Sequence, residues 1–355
     1  MRSIITQIMN LTRFISCDIG IDLGTANVRV GIREQGLVAI EPSVIAVQRG
    51  TNKILAVGKE AKEMIGKTPA NVIATRPIRD GVIVDFDTTQ AMLKYFISRA
   101  LKNFKKNNLF LNPRVLIGVP STITDVEKQA VIDAALYAGA KEAYVIEEPM
   151  AAAIGVGLPI NDATGNMIVD IGGGTTDIAI ISLGGILVDK TIKLAGDEMD
   201  EKIIEYVKNV YGLAIGNKTA ESLKLKLGNV YEDEHDETLI IHGRDLTTGL
   251  PKSTEITATH IKKAILPVIQ QITDAIKEAI EDAPPEIVSD LTEKGFIITG
   301  GGSQIKGLND YWQKIIGIPV KRANEPQISV LKGTLEALGH VDILKKLKES
   351  ENMII

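Results

Sequence analysis

Two stretches of this chain carry residues suited to phosphate chemistry, and they read alike. One is "IDLGTANVRV", from Ile21 to Val30, and the other is "VDIGGGTTDIAI", from Val169 to Ile180. Each runs apolar residue, Asp, apolar residue, Gly, then small and hydroxyl residues, then alternating apolar positions. Asp22 and Asp170 stand 148 residues apart. Glycine lets a backbone turn sharply and approach a ligand closely, and successive N–H groups at such a bend form a nest for an anion. An Asp at the strand end repels phosphate, so its presence makes sense with a cation in between, Mg²⁺ held through water. Two such hairpins, one from each of two related halves, would grip the phosphates of a nucleotide from both sides. A single copy would be an ordinary turn. Two copies, with a third glycine turn "TGGGS" at 299–303 after an apolar run, point to a nucleotide. No GxxxxGK[ST] loop occurs, so the nucleotide is not held in the Walker manner.

The remaining chemistry-bearing residues exclude more than they suggest. Cys17 is the sole cysteine, which rules out an internal disulfide and a thiolate metal cluster. His235, His242, His260 and His340 form no HExxH pattern. The acidic run "EDEHDE" at 232–237 could be imagined around a metal, but it reads as a solvated loop. The net charge of −5 and an aromatic content of 4% argue against a nucleic-acid partner. Glu221 and Lys224 lie three apart, which places both on one helical face.

These residues need elements to position them, and 355 residues with 45% apolar content are enough for two or more domains. Residues 18–34 read as two strands joined by the "LGTAN" turn. A short helix is expected over 57–68, a longer one over 89–106, a buried strand over 114–120 and a helix over 124–140. "EAYVIEEP" reads as a strand, with a helix starting at "MAAAIGVG". The second half repeats the plan. Strands surround a glycine turn over 166–188, a mostly helical stretch reaches about 229, and an exposed β meander spans 230–256. Two helices cover 259–292, and 295–308 gives a strand, a glycine turn and a helix start. No long linker separates the halves.

The set "DLGTAN", "IGVP", "IEEPMAAAIG", "DIGGGTTD", "AGDEMD" and "TGGGS" resembles the actin, heat-shock chaperone and sugar kinase superfamily. Within it, "EPSVIA", "IGKTP", "RPIRDGVI", "ITDVEKQAV", "AGDEMDEKI" and "PPEIVSD" resemble the MreB family of bacterial actin homologues, over about residues 17–348. The resemblance implies an α/β, actin-like fold: two duplicated RNase H-like domains flanking a nucleotide cleft, each with a smaller inserted subdomain. It implies an N-terminal amphipathic extension over 1–16. Domain IA would cover 17–46, 84–157 and 323–348, and domain IB 47–83. Domain IIA would cover 158–196 and 260–322, domain IIB 197–259, and a tail 349–355.

By the same resemblance Asp22, Gly24, Thr25, Ala26 and Asn27 form a first phosphate loop, and Asp170, Gly172, Gly173, Gly174 and Thr175 a second. Asp22 and Asp170 organise Mg²⁺ through water, Gly300, Gly301 and Gly302 approach adenosine, and Glu221 and Lys224 meet the ribose. Gly196, Asp197 and Glu198 lie near the nucleotide. Glu148, with Thr175, orients the hydrolytic water, Glu147 being the neighbour that could be confused with it. The implied activity is an ATPase using ATP, ADP and Mg²⁺, coupled to assembly of the chain with itself into paired filaments governing cell shape or motility. The rivals are a plasmid-segregating or organelle-aligning actin, a small-molecule kinase and a chaperone ATPase. Only 53 residues follow Gly302, too few for a peptide-binding domain.

Residues 1–15 have helical spacing. Ile4, Ile5, Ile8, Leu11 and Ile15 share about a third of the wheel at ~100° per residue, and no acidic residue precedes Asp18. Such a segment can lie in a membrane interface. Leu109 and Phe110 in "NNLFLNP" resemble the family's apolar membrane loop, and the C-terminal "ILKKLKESENMII" is a weaker candidate. With no secretory h-region and no apolar run near ~18 residues, the expected location is cytoplasmic, peripheral at the inner face of the cell membrane.

Overall fold

In a computed structural model the described residues are 17–51, 53–79, 81–104, 113–230, 237–340 and 343. The anchor residues Ile4, Ile5, Ile8, Leu11 and Ile15, the loop residues Leu109 and Phe110, His235, and nearly all of the C-terminal candidate lie outside them. The chain divides into two units, Met1–Leu158 with Ile328–Ile355, and Pro159–Gln327.

The first unit opens with β1 (Asp18–Leu23), β2 (Asn27–Ile32), β3 (Gly36–Pro42), β4 (Ile45–Gln48) and β5 (Ile54–Val57). It continues with α1 (Lys59–Met64), β6 (Val72–Thr75), β7 (Ile78–Arg79), β8 (Val82–Ile83) and α2 (Phe86–Phe104). Then come β9 (Arg114–Val119), α3 (Asp125–Tyr137), β10 (Glu142–Glu147) and α4 (Glu148–Gly155). Its main sheet has the order β10-β9-β1-β2-β3, the first three strands parallel and the last three an antiparallel meander. β1 and β9 are apolar runs buried on both faces, as a sheet covered by helices requires. A small antiparallel sheet, β5-β4-β6, accompanies it. Thr124 and Glu127 close a capping box at the start of α3, which explains why that helix begins where it does.

The second unit has the same plan. It runs β11 (Asn166–Ile171), β12 (Thr176–Ser182), β13 (Gly185–Ile192), α5 (Gly196–Tyr211), β14 (Leu213–Ala214) and α6 (Asn217–Leu227). It continues with β15 (Thr238–Asp245), β16 (Pro251–Thr257), α7 (Ala258–Glu281), α8 (Pro285–Lys294), β17 (Phe296–Thr299), α9 (Leu308–Ile316) and β18 (Val320–Arg322). Its main sheet has the order β13-β12-β11-β17-β18, with β11, β17 and β18 parallel and β11, β12 and β13 antiparallel. β14-β15-β16 form its small sheet. Trp312 is fully buried in this unit's core, and its Nε1–H donates to Thr273 Oγ1 at 2.8 Å.

The chain returns to the first unit as α10 (Ser329–Ala337), which packs on α4. A Cβ on Gly333 would lie 1.7 Å from the Ala151 carbonyl oxygen, so the small residues of "MAAAIG" and "LKGT" are what allow the two helices to approach.

One boundary differs from expectation. The β10 strand stops at Glu147, and Glu148 and Pro149 already belong to α4. Proline at the first helical positions has φ suited to the helix and no N–H to leave unpaired. The two-residue strand β14 lies in the stretch expected to be helical.

Candidate functional site

In the first unit the parallel strands β1, β9 and β10 end together. Asp22 lies opposite Gly118 on β9, and Ile146 lies opposite Gly118 on the other side. Ligands of open α/β sheets gather at such carboxyl ends. Asp22 is buried and faces its cross-strand partner Arg29, with Nη1 to Oδ2 at 2.8 Å. Burial pushes the Asp22 carboxyl up, and the Arg29 guanidinium works against that.

Two neighbours, Ser43 and Gly81, pin the turn after it with three hydrogen bonds. Ser43 Oγ donates to the Gly24 carbonyl, the Gly81 N–H donates to Thr25 Oγ1 at 3.2 Å, and the Ser43 N–H donates to the Ala26 carbonyl at 3.0 Å. Asn27 begins β2, and a Cβ on Gly24 would sit 2.9 Å from its carbonyl oxygen.

Glu147 and Glu148 diverge at the strand–helix junction. Lys128 Nζ is 3.5 Å from Glu147 Oε1, on the half-exposed side of α3. Glu148 is buried, and its Cγ is 3.8 Å from where a Cβ on Gly118 would stand.

In the second unit Asp170 occupies the place of Asp22, at the end of β11 and opposite Thr299 on β17. Its cross-strand partner on β12 is not a cation but Asp177. Gly172 donates its N–H to the Thr175 carbonyl at 2.8 Å, closing the turn. Thr175 Oγ1 donates to Asp177 Oδ2 at 3.0 Å, and Thr191 Oγ1 on β13 donates to Asp177 Oδ1 at 2.6 Å. Burial pushes the Asp177 carboxyl up to about 6, those two hydroxyls opposing it.

The start of α5 holds the glycine loop from behind. The Asp197 N–H donates to the Gly173 carbonyl at 2.7 Å, and the Gly196 N–H to the Gly172 carbonyl at 3.3 Å. Lys224 on α6 then donates to the Gly196 carbonyl at 2.6 Å and pairs with Asp200 at 2.9 Å. Asp200 is pushed up to about 6 by burial, which Lys224 opposes. Glu198 turns toward Lys202, at 3.7 Å, and Glu221 shares α6 with Lys224.

The third glycine turn closes on the same loop. Gly300 has φ +81°, and a Cβ there would lie 2.2 Å from Asp170 Oδ1 and 2.3 Å from the Ile171 carbonyl oxygen. Gly302 presses on Ile171 in the same way, whereas a Cβ on Gly301 would meet nothing within 4 Å.

The second unit therefore bonds Gly172, Gly173, Thr175, Gly196, Asp197 and Lys224 into one cluster, with Gly174 in the same turn and Gly300 and Gly302 packed against Asp170 and Ile171. The first unit gathers Asp22, Gly24, Thr25, Ala26 and Asn27 with Glu148 across the ends of three strands. Sequence reasoning missed the supports Arg29, Ser43, Gly81, Asp177, Thr191 and Asp200. The signal for Asp177 was the last letter of "DIGGGTTD". The donor set suits a hard cation, because Asp170 and Asp177 put two carboxylates on one face of the sheet.

The profile of the family described as MreB/Mbl protein matches residues 16–346. Among curated proteins the chain is 45% identical to the cell shape-determining protein Mbl of Bacillus subtilis, covering 94% of this chain and 99% of that one. It is 42% identical to the cell shape-determining protein MreB of Escherichia coli, covering 92% and 95%. Among solved structures, MreB5 of Spiroplasma citri bound to ADP superposes with a TM-score of 0.86 at 37% identity, over 93% of this chain and 98% of that one. The same protein bound to AMPPNP gives 0.85. A MamK double helical filament gives 0.75 at 22% identity, a likeness of fold. Among the described residues no helix is long and apolar enough to cross a membrane.

Proposed function

The chain belongs to the MreB/Mbl family and has an actin-like fold, and from that premise we propose that it is an ATP-hydrolysing filament protein that governs cell shape. The observation that carries the reading is the duplicated Asp-x-Gly turn at the carboxyl ends of the parallel strands in both units. The ADP and AMPPNP bound to the Spiroplasma protein support the nucleotide, and the names of the Bacillus and Escherichia proteins support the cellular role.

In this reading Gly24–Asn27 and Gly173–Thr175 bind phosphate through backbone N–H groups, and Gly172 shapes the second turn. Gly300, Gly301 and Gly302 approach the adenosine. Asp170, with Asp22, holds Mg²⁺ through water, and the bound cation neutralises charge on the phosphates. Glu148 accepts a proton from the attacking water, and Thr175 accepts its second hydrogen bond. Lys224 meets the ribose with Glu221 while its ammonium stays tied to α5. Copies of the chain assemble into paired filaments, and residues 1–15, with Leu109 and Phe110, bind a lipid surface.

Phosphate release and ATP-dependent sedimentation test the core of this. Glu148→Ala should lower hydrolysis about 10²-fold or more, the range for one positioned acid–base group, while ATP binding and assembly persist. Unchanged phosphate release removes Glu148 from its role, and a protein monomeric at every concentration and nucleotide state removes the filament. Deleting residues 1–15 should reduce liposome co-sedimentation and leave hydrolysis unchanged. Full liposome binding by the truncated chain moves the anchor elsewhere.

A further inference from the structure

We infer that Asp177 fixes which way the Thr175 hydroxyl points, and so makes Thr175 an acceptor toward the hydrolytic water. The inference rests on the reading of Thr175 above and adds a positioning residue to it. Asp177 is 2% exposed and lies in a cross-strand row, Asp170 on β11, Asp177 on β12 and Thr191 on β13. Its two oxygens have separate hydroxyl donors, Thr175 on Oδ2 at 3.0 Å and Thr191 on Oδ1 at 2.6 Å.

A carboxylate accepts and does not donate, so each hydroxyl has to give it a hydrogen. The one hydrogen of Thr175 is thereby committed, and the oxygen offers only lone pairs to anything else. That is the state hydrolysis needs. A water attacking phosphorus must direct its own lone pair forward, which leaves its hydrogens to be taken up by acceptors. A threonine free to rotate could instead donate to that water and occupy the attacking lone pair.

A buried acid is an odd residue for this position on packing grounds. The following positions of β12 on the same face, Ala179 and Ile181, are fully buried and apolar, and Asp170 stands directly opposite. A carboxylate buried this deeply is costly unless its oxygens are hydrogen-bonded, as both are here. Asparagine has nearly the same shape but carries one donor group and one acceptor. In Asp177→Asn one of the two hydroxyls must face an N–H and turn round.

The test measures phosphate release at saturating ATP, KM for ATP, and Tm on the full chain. Thr175→Ala and Asp177→Asn should each lower kcat by about 10²-fold, the scale of a misoriented reacting group, with KM for ATP retained. The double variant should be no slower than Thr175→Ala alone, because the two act as one device. Thr191→Val removes the other donor to the same carboxylate. It should lower Tm and lower kcat by clearly less than Thr175→Ala does. Asp177→Glu keeps two acceptor oxygens and should keep most of the rate; where Asp177→Asn does not fold, a folded, ATP-binding Asp177→Glu as slow as Thr175→Ala overturns the inference. An unchanged kcat in Thr175→Ala defeats the reading of Thr175 itself. If Thr175→Ala is slow but Asp177→Asn is not, or their losses multiply, or Thr191→Val slows hydrolysis equally, Thr175 keeps its role and the inference about Asp177 is wrong.

Discussion

The two sheets are drawn to one plan and differ at one charge. The strand order β3-β2-β1-β9-β10 of the first unit has the same directions as β13-β12-β11-β17-β18 of the second. Asp22-x-Gly24-x-x-Asn27 and Asp170-x-Gly172-x-x-Thr175 turn at the same point of that plan. A Cβ on Gly24 would crowd the Asn27 carbonyl, and one on Gly172 the Thr175 carbonyl. Across the strand from the first Asp stands Arg29, and across from the second stands Asp177. The first loop is neutralised from within. The second places two acids directly opposite each other on neighbouring strands, where like charges are unfavourable. A common backbone therefore turns the chain twice in the same way, while only the first acid is neutralised by a side chain of its own hairpin.

The sharpest way to break this comparison is at the glycine beside each Asp. Gly300→Ala should cost about 4 kcal/mol of unfolding free energy, from a left-handed φ and from overpacking against Asp170 and Ile171. Gly118→Ala in the first unit meets only the Val330 Cγ1 methyl at close range, 2.8 Å away, and should cost about 1 kcal/mol. Urea unfolding reads both, and equal losses would show that the second loop is not the more tightly built. Next come the acids themselves. Asp22→Asn leaves Arg29 without its carboxylate and should cost about 3 kcal/mol of stability, with a smaller shift in the Mg²⁺ requirement than Asp170→Asn gives. Asp170→Asn should raise the Mg²⁺ concentration for half-maximal hydrolysis about tenfold. A Mg²⁺ requirement that shifts equally in the two variants would mean that Arg29 does not weaken the hold of Asp22 on the cation.

How much of this could be read beforehand follows from what a sequence encodes. The glycine turns, the apolar strands feeding them and the Thr124 cap are local patterns, and all lie where the letters put them. The choice between Glu147 and Glu148 is not local, because it depends on Lys128 drawing one side chain toward α3. Arg29 and Asp177 sit seven residues after Asp22 and Asp170 in both halves, so the contrast was present in the letters. Its meaning was not, since only the antiparallel register makes them direct partners. Lys224 shows the same limit. Helical spacing set it beside Glu221, whereas its ammonium is held by Gly196 and Asp200, 28 and 24 residues earlier.

A last effect concerns how the second loop is braced. In the first unit the cation Arg29 reaches the loop's own Asp. In the second, Lys224 reaches Asp200, one helical turn behind the loop. Asp200 is raised to about 6 by burial, against an ordinary value of 3.8. A group with a raised folded-state pKa binds its proton more tightly when folded. Its contribution is full below 3.8 and is lost as pH rises through 6. About two units correspond to at most about 3 kcal/mol. Asp200→Asn does not titrate, so its stability relative to the parent should improve by up to that amount between pH 4 and pH 7, measured by urea unfolding at each pH. A difference between the two chains that stays flat across this window would mean that Asp200 is as well solvated or paired as an ordinary surface acid. The Lys224 ammonium would then offset the whole cost of burying Asp200.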